Sequence, residues 1–295
     1  MLVVIRGAGD IATGIALRLY RCGFRLVLCE VSQPTDIRRT VCFAEAVRLG
    51  RTTVEGVEAR RADLEEVPEL LEDGIIPVLV DPAAACVPAL GPDAVVDAIL
   101  AKRNLGTTRD MAPVVVGVGP GFTAGVDCHA AVETMRGHTL GRVIYQGSPL
   151  ENTAVPGLIG GYAGERVLRA PADGVFEGVR RIGDVVEAGD IVAYVAGKPM
   201  ACTIAGVLRG LLADGVPVHR GMKCGDVDPR CRPEYCVTAS DKALAVGGGV
   251  LEAILSLSGG VDKLVCKYTG LRSLLSRRGR TRGDGISHCG TPQDG

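Results

Sequence analysis

The chain has 295 residues, and its 33 basic and 34 acidic side chains leave a formal net charge of -1. This balance argues against a protein that coats nucleic acid or an anionic membrane. No stretch offers the roughly twenty uninterrupted apolar residues of a membrane-spanning helix, and residues 1–6 lack the basic region of a signal peptide. We therefore expect a cytoplasmic protein whose partner is a small molecule or another protein.

The first thirty residues predict a strand, a tight turn, a helix and a second strand. An apolar run over residues 2–5 enters a glycine turn, helical spacing follows to Gly23, and residues 25–30 form a second apolar run. Further strands are predicted at 54–59, 77–80 and 94–100, with a helix over 64–72 and a hairpin around Gly137. The alternation favours an α/β fold with a Rossmann-like, mostly parallel sheet.

The pattern Gly7-x-Gly9-x-x-Ala12 follows the first strand and opens the helix. The first glycine permits a tight turn, the second leaves room for a phosphate, and the alanine allows close packing of helix and strand. Unpaired N–H groups at the helix start attract an anion. The pattern predicts a nucleotide or pyrophosphate site, although an empty glycine turn remains the alternative; its predicted residues are Gly7, Gly9, Asp10, Ala12, Thr13 and Glu30.

Two of these residues carry carboxylates with different expected roles. Glu30 ends the second strand and is expected to accept a ribose hydroxyl. Asp10 complicates the site, because a carboxylate in the loop repels phosphate unless it caps the helix or holds a metal.

Two further segments are candidates for anion binding. Arg38 and Arg39 follow the second strand, where they would reach a 2′-phosphate or a pterin phosphate, or simply lie on a solvated surface. The glycines of a second turn, Gly117, Gly119 and Gly121, would form a cradle of backbone N–H groups or a plain structural loop.

The eleven cysteines are scattered along the chain, so we expect most of them to be reduced. Cys224, Cys231 and Cys236 are separated by six and four residues, whereas zinc sites typically have two to four residues between paired cysteines. Cys128 and His129 are neighbours whose side chains point in different directions, which argues against a catalytic dyad. We therefore name no metal ligand from the sequence.

An internal repeat occupies the second half of the chain. The segment that begins at Gly174 recurs 32 residues later at Gly206, with four glycines and two valines matched. Two similar halves predict a small all-β barrel or sandwich, followed by a helix from Ser240 or Asp241 to about Leu257. The predicted domains are a Rossmann-like cofactor-binding domain at 1–165, a barrel at 166–238, a helix at 239–260 and a basic, disordered tail at 261–295.

The motifs together resemble the YqeB family over about residues 1–258. The resemblance rests on segments from both halves of the chain: Arg6-Gly-Ala-Gly-Asp-Ile-Ala-Thr-Gly14, Ile37-Arg-Arg-Thr40, Phe43-Ala-Glu-Ala-Val47, Ala101-Lys-Arg-Asn-Leu-Gly106, Gly119-Pro-Gly-Phe-Thr-Ala-Gly-Val-Asp127, Glu133-Thr-Met-Arg-Gly-His138, Ala170-Pro-Ala-Asp-Gly174, Gly225-Asp-Val-Asp-Pro-Arg230 and Ser240-Asp-Lys-Ala243. The family is described as an accessory of selenium-dependent molybdenum hydroxylases. Its first part resembles the Rossmann-like domain of XdhC-type factors, which load or sulfurate the molybdenum cofactor.

The resemblance implies a maturation factor that binds or modifies the molybdenum-pterin cofactor, including its dinucleotide form. Its expected partners are a hydroxylase subunit and a selenium or sulfur donor protein, and self-association remains open. Cys236 is the first candidate for a soft donor in selenium or sulfur insertion. The second part is similar to biotinyl/lipoyl barrels, but Lys198 lacks the flanking methionines of a modified lysine, so no biotin or lipoate is expected.

Two other functions remain open from the sequence. One is an NAD(P)-dependent oxidoreductase, which needs an acid or base beside the nicotinamide; no Tyr-x-x-x-Lys pair lies within residues 1–165. The other is a non-enzymatic scaffold that docks a hydroxylase through the barrel while the first domain senses a nucleotide.

Overall fold

A computed structural model describes residues 1–153 and 157–260. Met1–Ile254 form one compact unit. Of a second unit, Leu255–Gly295, the structure describes residues 255–260, which contain the end of a helix and a turn. The predicted disorder of 261–295 lies outside the described residues, and the domain limits at 165 and 238 stay predictions.

A nine-stranded sheet forms the first part of the chain. Its order is β3-β4-β5-β2-β1-β6-β7-β8-β9. The seven inner strands are parallel, and the edge strands β3 and β9 are antiparallel to their neighbours. The strands are β1 Leu2–Arg6, β2 Arg25–Glu30, β3 Arg51–Val54, β4 Val57–Arg61, β5 Ile76–Val80, β6 Ala94–Asp97, β7 Val114–Val118, β8 Ala130–Val132 and β9 Val143–Ile144.

The apolar character of the inner strands follows from this arrangement, because a parallel sheet is covered on both faces. All five residues of β7 are buried, for example. Five helices accompany the sheets: α1 Asp10–Arg21, α2 Glu45–Leu49, α3 Val67–Glu72, α4 Val87–Leu90 and α5 Asp241–Leu257. The Ser240 hydroxyl accepts the Ala243 N–H at 3.2 Å, which confirms the predicted helix start.

Helix α5 packs closely on α1. A Cβ at Gly14 would lie 2.5 Å from the Ala243 Cβ, and one at Gly247 would lie 2.9 Å from the Gly14 oxygen. Helix α5 therefore contacts α1, the helix that starts at the glycine loop.

Two antiparallel four-stranded sheets form the repeat region. Their orders are β10-β17-β15-β12 and β14-β13-β11-β16. The strands are β10 Val167–Arg169, β11 Gly174–Gly178, β12 Val185–Val186, β13 Ile191–Val195, β14 Lys198–Ala201, β15 Gly206–Leu211, β16 Pro217–Val218 and β17 Lys223–Asp228.

The strands recur at the spacing that the sequence predicts. Strands β11, β12 and β13 begin 32 residues before β15, β16 and β17. Each half of the repeat pairs its short strand with a strand of the other half: β12 of the first half pairs with β15, and β16 of the second half pairs with β11. A shared core that includes Phe176, Leu208 and Val227 lies within this region.

The structure differs from the predicted elements at two places in the first part. The strand predicted at 54–59 is interrupted by a turn at Glu55 and Gly56, whose φ values are 47° and 81°; Val54 ends β3, and residues 57–59 belong to β4. Strand β6 ends at Asp97 rather than at residue 100, and Leu100 has a φ of 60°. The helix at 64–72 and the hairpin around Gly137 are confirmed, the helix beginning as a 3-10 turn.

The chain is therefore α/β, with one large mixed sheet and two antiparallel sheets. Among the described residues, no helix combines the length and apolarity needed to cross a membrane.

Candidate functional site

The glycine loop between β1 and α1 has the tight turn that the sequence predicts. Gly7 has a φ of 98°, and its N–H donates to the Cys29 oxygen at 2.7 Å. A Cβ at this position would lie 2.9 Å from the Ala98 oxygen. Glycine is required here both for the positive φ and for the close approach of the segments that follow β1 and β6.

Thr13 and Ala12 hold the loop in place. The Thr13 hydroxyl donates to the Ala8 oxygen at 3.1 Å and accepts the Phe43 N–H at 2.9 Å. Both side chains are buried, so they contact protein rather than open space. Their role in this structure is to fix the loop geometry.

Glu30 closes the loop from the end of β2. One carboxylate oxygen accepts the Ala8 N–H at 2.8 Å, and the other accepts the Val31 N–H at 2.7 Å. Burial raises the pKa of Glu30, and the two backbone hydrogen bonds oppose that shift. Each oxygen thus accepts one backbone N–H group, which orients the carboxylate, and keeps a second lone pair.

A second carboxylate lies over Gly9. A Cβ at Gly9 would overlap with the Asp36 Oδ1 atom, so the space that glycine leaves open is filled by this side chain. Burial, together with the carboxylates of Glu30, Asp10 and Glu45, raises the pKa of Asp36 to about 7. The sequence analysis missed Asp36, because it lies in an irregular segment after β2 with no motif around it.

Arg38 and Arg39 connect the first part of the chain to the repeat region and the segment after it. The Arg38 guanidinium lies 3.5 Å from the Asp10 carboxylate and donates to the Tyr235 and Thr238 oxygens at 2.9 and 3.3 Å. Arg39 donates to the Leu211 oxygen at 2.8 Å and lies 3.4 Å from the Glu45 carboxylate. Both guanidinium groups are thus held by protein groups, Arg38 neutralises Asp10 at the start of α1, and the buried Arg38 Nε has no hydrogen-bond partner among the described residues.

Two lysines that the sequence analysis did not select lie near Asp10. Burial is the main cause that lowers the pKa values of Lys223 and Lys242, and the Asp10 carboxylate opposes the shift in both. Neither lysine forms an ion pair with a described residue. They come from β17 and α5, so the cations converge on the helix start from distant parts of the sequence.

The spacing of residues along the sequence does not indicate that Lys223 and Lys242 approach Asp10. Lys242 lies in the Ser240-Asp-Lys-Ala243 segment that carries the family resemblance, which is the one sequence feature that marks it.

The second glycine turn is filled by the protein itself. A Cβ at Gly117 would overlap with the Phe122 ring, and one at Gly119 would lie 2.8 Å from the Thr134 hydroxyl. At Gly121, whose φ is 106°, a Cβ would lie 2.6 Å from the Arg103 backbone. These glycines permit close packing of neighbouring segments, which is the structural alternative that the sequence left open.

Of the cysteines considered from the sequence, Cys128, Cys224 and Cys236 are buried, whereas Cys231 is exposed. Cys236 is 3 % exposed, its sulfur lies 3.9 Å from the Leu208 oxygen, and burial raises its pKa. Cys128 is also buried, and the neighbouring His129 accepts the Val115 N–H at 2.9 Å through Nδ1. Cys236 therefore lacks the exposure and lowered pKa of a reactive thiol.

A cleft of about 870 Å³ lies between the β3–β4 hairpin and the repeat region. Its lining includes the exposed apolar side chains of Leu49, Val179 and Val237. The charged groups on its wall include Arg39, Glu45, Glu55, Arg180, Arg181 and Asp214. The residues of the glycine loop do not line this cleft.

Comparison with known proteins identifies one informative relative. The chain is 55 % identical over 257 residues to a protein of Escherichia coli strain K12 described as uncharacterized protein YqeB. The match covers 87 % of this chain and 48 % of the relative, so the chain spans about half the relative's length. This similarity supports the resemblance to the YqeB family.

No family model matches the chain. Two solved structures with weak similarity are an aspartoacylase family protein from Mesorhizobium loti and a succinylglutamate desuccinylase from a Silicibacter species. Each is 13 % identical and covers 77 % of this chain, with 83 % and 84 % of the other chain matched. Both TM-scores are 0.23, so neither likeness bears on function.

Proposed function

From the similarity to YqeB, we propose that this chain is an accessory factor of selenium-dependent molybdenum hydroxylases. In this proposal it binds the anionic end of the molybdenum-pterin cofactor, in phosphate or dinucleotide form, at the Gly7–Gly9 loop. A hydroxylase subunit and a selenium or sulfur donor are its partners.

The observation that carries the proposal is the placement of Lys223 and Lys242 around the start of α1. The Asp10 carboxylate acts on both lysines, with Asp226 acting more strongly on Lys223; Lys242 is half-buried, Lys223 is exposed, and neither has an ion-pair partner among the described residues. Helix α1 is twelve residues long and offers unpaired N–H groups at this end. Two cations and a helix start favour a bound anion at this place.

The strand order supports a Rossmann-like first part. Strands β5-β2-β1-β6-β7-β8 are parallel and follow the order 3-2-1-4-5-6 when numbered among themselves. In such sheets, ligands bind at the carboxyl ends of the strands, where the order reverses next to the first strand. The Gly7 turn and the loop after β6 meet at this point, since a Cβ at Gly7 would touch Ala98.

Asp36 makes binding depend on protonation. Its carboxylate fills the space over Gly9, so an incoming phosphate has to displace it. Because the pKa of Asp36 is about 7, its proton uptake near neutral pH costs little free energy. Protonation removes the repulsion, and side-chain rotation opens the space to a phosphate oxygen.

We propose binding of the cofactor rather than a chemical step. Cys236 is buried, and no other residue of the loop offers a soft donor to a ligand. Selenium or sulfur insertion, if it takes place on this protein, therefore requires a donor that the partner supplies.

The two alternatives receive unequal support. An NAD(P)-dependent oxidoreductase would use Glu30 to accept ribose hydroxyls; each Glu30 oxygen accepts one backbone N–H group and keeps a second lone pair, and no further observation favours this function. A docking scaffold is favoured by one observation, the cleft of about 870 Å³ with its exposed apolar side chains.

The decisive experiment is mass spectrometry of the small molecules that co-purify with the chain from molybdenum-replete and molybdenum-free cultures. We expect a phosphorylated pterin or pterin dinucleotide with molybdenum in the first sample only. Lys242→Gln should reduce its occupancy or affinity about tenfold, because charge-assisted hydrogen bonds contribute about 1.5–3 kcal/mol.

Lys198→Gln is the matched control, since it removes the same charge from an exposed strand of the repeat region. The proposal fails if neither culture gives a pterin and added cofactor does not bind. Tight NADH binding with turnover would instead establish the oxidoreductase.

A further inference from the structure

Three possible metal-ligand atoms meet at the carboxyl ends of β2 and β5. The sulfurs of Cys29 and Cys86 are 3.5 Å apart, and a carboxylate oxygen of Asp81 completes a set in which every pair lies within 4.8 Å. Among residues 1–153 and 157–260, no other group of three or more histidine, cysteine or acidic ligands is this compact.

The polypeptide fixes all three side chains. Cys29 lies in β2, Asp81 follows the last residue of the neighbouring strand β5, and Cys86 precedes α4. The Asp81 carboxylate accepts the Ala85 and Cys86 N–H groups at 2.9 and 2.8 Å, which orients it. Each carboxylate oxygen keeps a second lone pair that can bind a cation.

The environment excludes bulk water from the two sulfurs. Cys29 is 2 % exposed and Cys86 is 5 % exposed, whereas Asp81 is partly exposed and gives a route from solvent. Arg6 lies opposite Cys29 on the adjacent strand and donates to the Pro82 oxygen next to Asp81. Its guanidinium also pairs with the Asp97 carboxylate at 3.2 Å, so most of the negative charge of two thiolates and a carboxylate is balanced by the divalent ion itself.

We propose that Cys29, Cys86 and Asp81 bind a divalent thiophilic cation of the Zn²⁺ type, with a fourth position open to water. Tetrahedral zinc with Zn–S bonds of about 2.3 Å places two sulfurs about 3.8 Å apart, so the observed separation requires a shift of only a few tenths of an ångström. Binding releases two thiol protons to solvent and changes no oxidation state.

The position of this site connects it to the glycine loop. The Cys29 oxygen accepts the Gly7 N–H at 2.7 Å, and the next residue is Glu30, which closes the loop. A bound ion would stiffen the end of β2 and thereby the turn that follows β1. The proposal does not depend on the identity of the loop ligand.

A cobalt titration of the full chain tests the site. Cobalt(II) added to reduced, metal-free protein should bind at one equivalent and give an intense thiolate-to-cobalt charge-transfer band. Cys86→Ala should abolish the band. Asp81→Asn should weaken binding about tenfold or more, since even the loss of a group that only supports a metal ligand costs about 10–100-fold in affinity. Cys22→Ser, an exposed cysteine away from the site, is the control that should keep the band.

X-ray absorption of zinc-loaded wild-type protein gives a test that needs no variant. We expect two sulfurs at about 2.3 Å and oxygen ligands at about 2.0 Å. Absence of the charge-transfer band at one equivalent, or its survival in Cys86→Ala, overturns the proposal. Air oxidation to a Cys29–Cys86 disulfide in the presence of excess zinc would also overturn it, because a metal-bound pair should be protected.

Discussion

The two glycine turns of the first part look alike in the sequence and differ in what fills them. Around Gly121, the neighbour is the Arg103 backbone, 2.6 Å from the place that a Cβ would occupy. Around Gly9, the neighbour is the carboxylate end of Asp36. Backbone cannot leave this space without unfolding the loop, whereas a side chain can rotate away, so the space over Gly9 can open to a ligand.

The difference shows what a glycine in a turn indicates. It marks a place where another group approaches the backbone closely, but that group is a ligand, a side chain or another backbone segment. The charges nearby separate these cases: Lys223 and Lys242 lie near the first turn, and packed apolar side chains such as Phe122 surround the second.

The largest expected loss of stability comes from a substitution in the second glycine turn. Gly121→Ala should lower the free energy of unfolding by about 3 kcal/mol or more, because it combines a positive φ with a clash against the Arg103 backbone. Gly125→Ala is the matched control: its φ is 89°, but a Cβ there meets nothing within 4 Å, so it should cost about 1 kcal/mol. Chemical denaturation measures both, and equal losses would contradict the packing interpretation.

The next effect concerns the pH dependence of stability through Asp36. Its folded-state pKa of about 7 lies above the ordinary aspartate value of 3.8, so the folded protein keeps this proton in a range where the unfolded chain has lost it. The contribution of Asp36 to the free energy of unfolding is therefore fully present below about pH 4 and is lost as the pH rises through about 7. Asp36→Asn should be more stable than wild type by about 1–3 kcal/mol at pH 8, and nearly equal at acidic pH.

Denaturant titrations at several pH values measure this difference. Asp73→Asn, at an exposed position after α3, is the control and should change little across the same range. A difference between wild type and Asp36→Asn that stays constant with pH would show that folding does not shift the pKa of Asp36.

The smallest effect is the coupling between Gly9 and Asp36. Gly9 has an ordinary φ of -67°, so alanine there should cost only about 1 kcal/mol or less, by displacing the flexible end of Asp36. In an Asp36→Ala background the same substitution should be neutral, because the overlapping atom is gone. A double-mutant cycle measures the coupling, and additive effects would mean that Asp36 does not occupy this space.

The accuracy of prediction from sequence differs between the two parts of the chain. In the repeat region, matched glycines and valines predicted strands 32 residues apart, and β12 and β16 recur at that spacing. The prediction holds because the two halves meet similar environments. In the first part, the strand expected at 54–59 is the tip of a hairpin, with a turn at residues 55 and 56, because apolar composition alone does not distinguish one strand from a short hairpin.

The sequence predicted only the part of the candidate site that is formed by residues close together in the chain. The positions of Gly7, Gly9 and α1 follow from a pattern within fourteen residues, which local backbone conformation determines. Arg38 was selected as an anion ligand, but it pairs with Asp10 and with backbone oxygens near residue 235. Its partner lies about 200 residues away, and no spacing rule reports such a contact.

The sequence by itself determined the α/β class, the glycine turn after β1, the repeat and the start of α5, because periodicity, glycine and capping residues act over a few residues. Only the tertiary structure decided that Asp36 fills the space over Gly9, that Lys223 and Lys242 approach Asp10, and that Cys29, Asp81 and Cys86 meet. These contacts join side chains from separate strands and helices. Their distances depend on how the sheets and helices pack, which local sequence patterns do not encode.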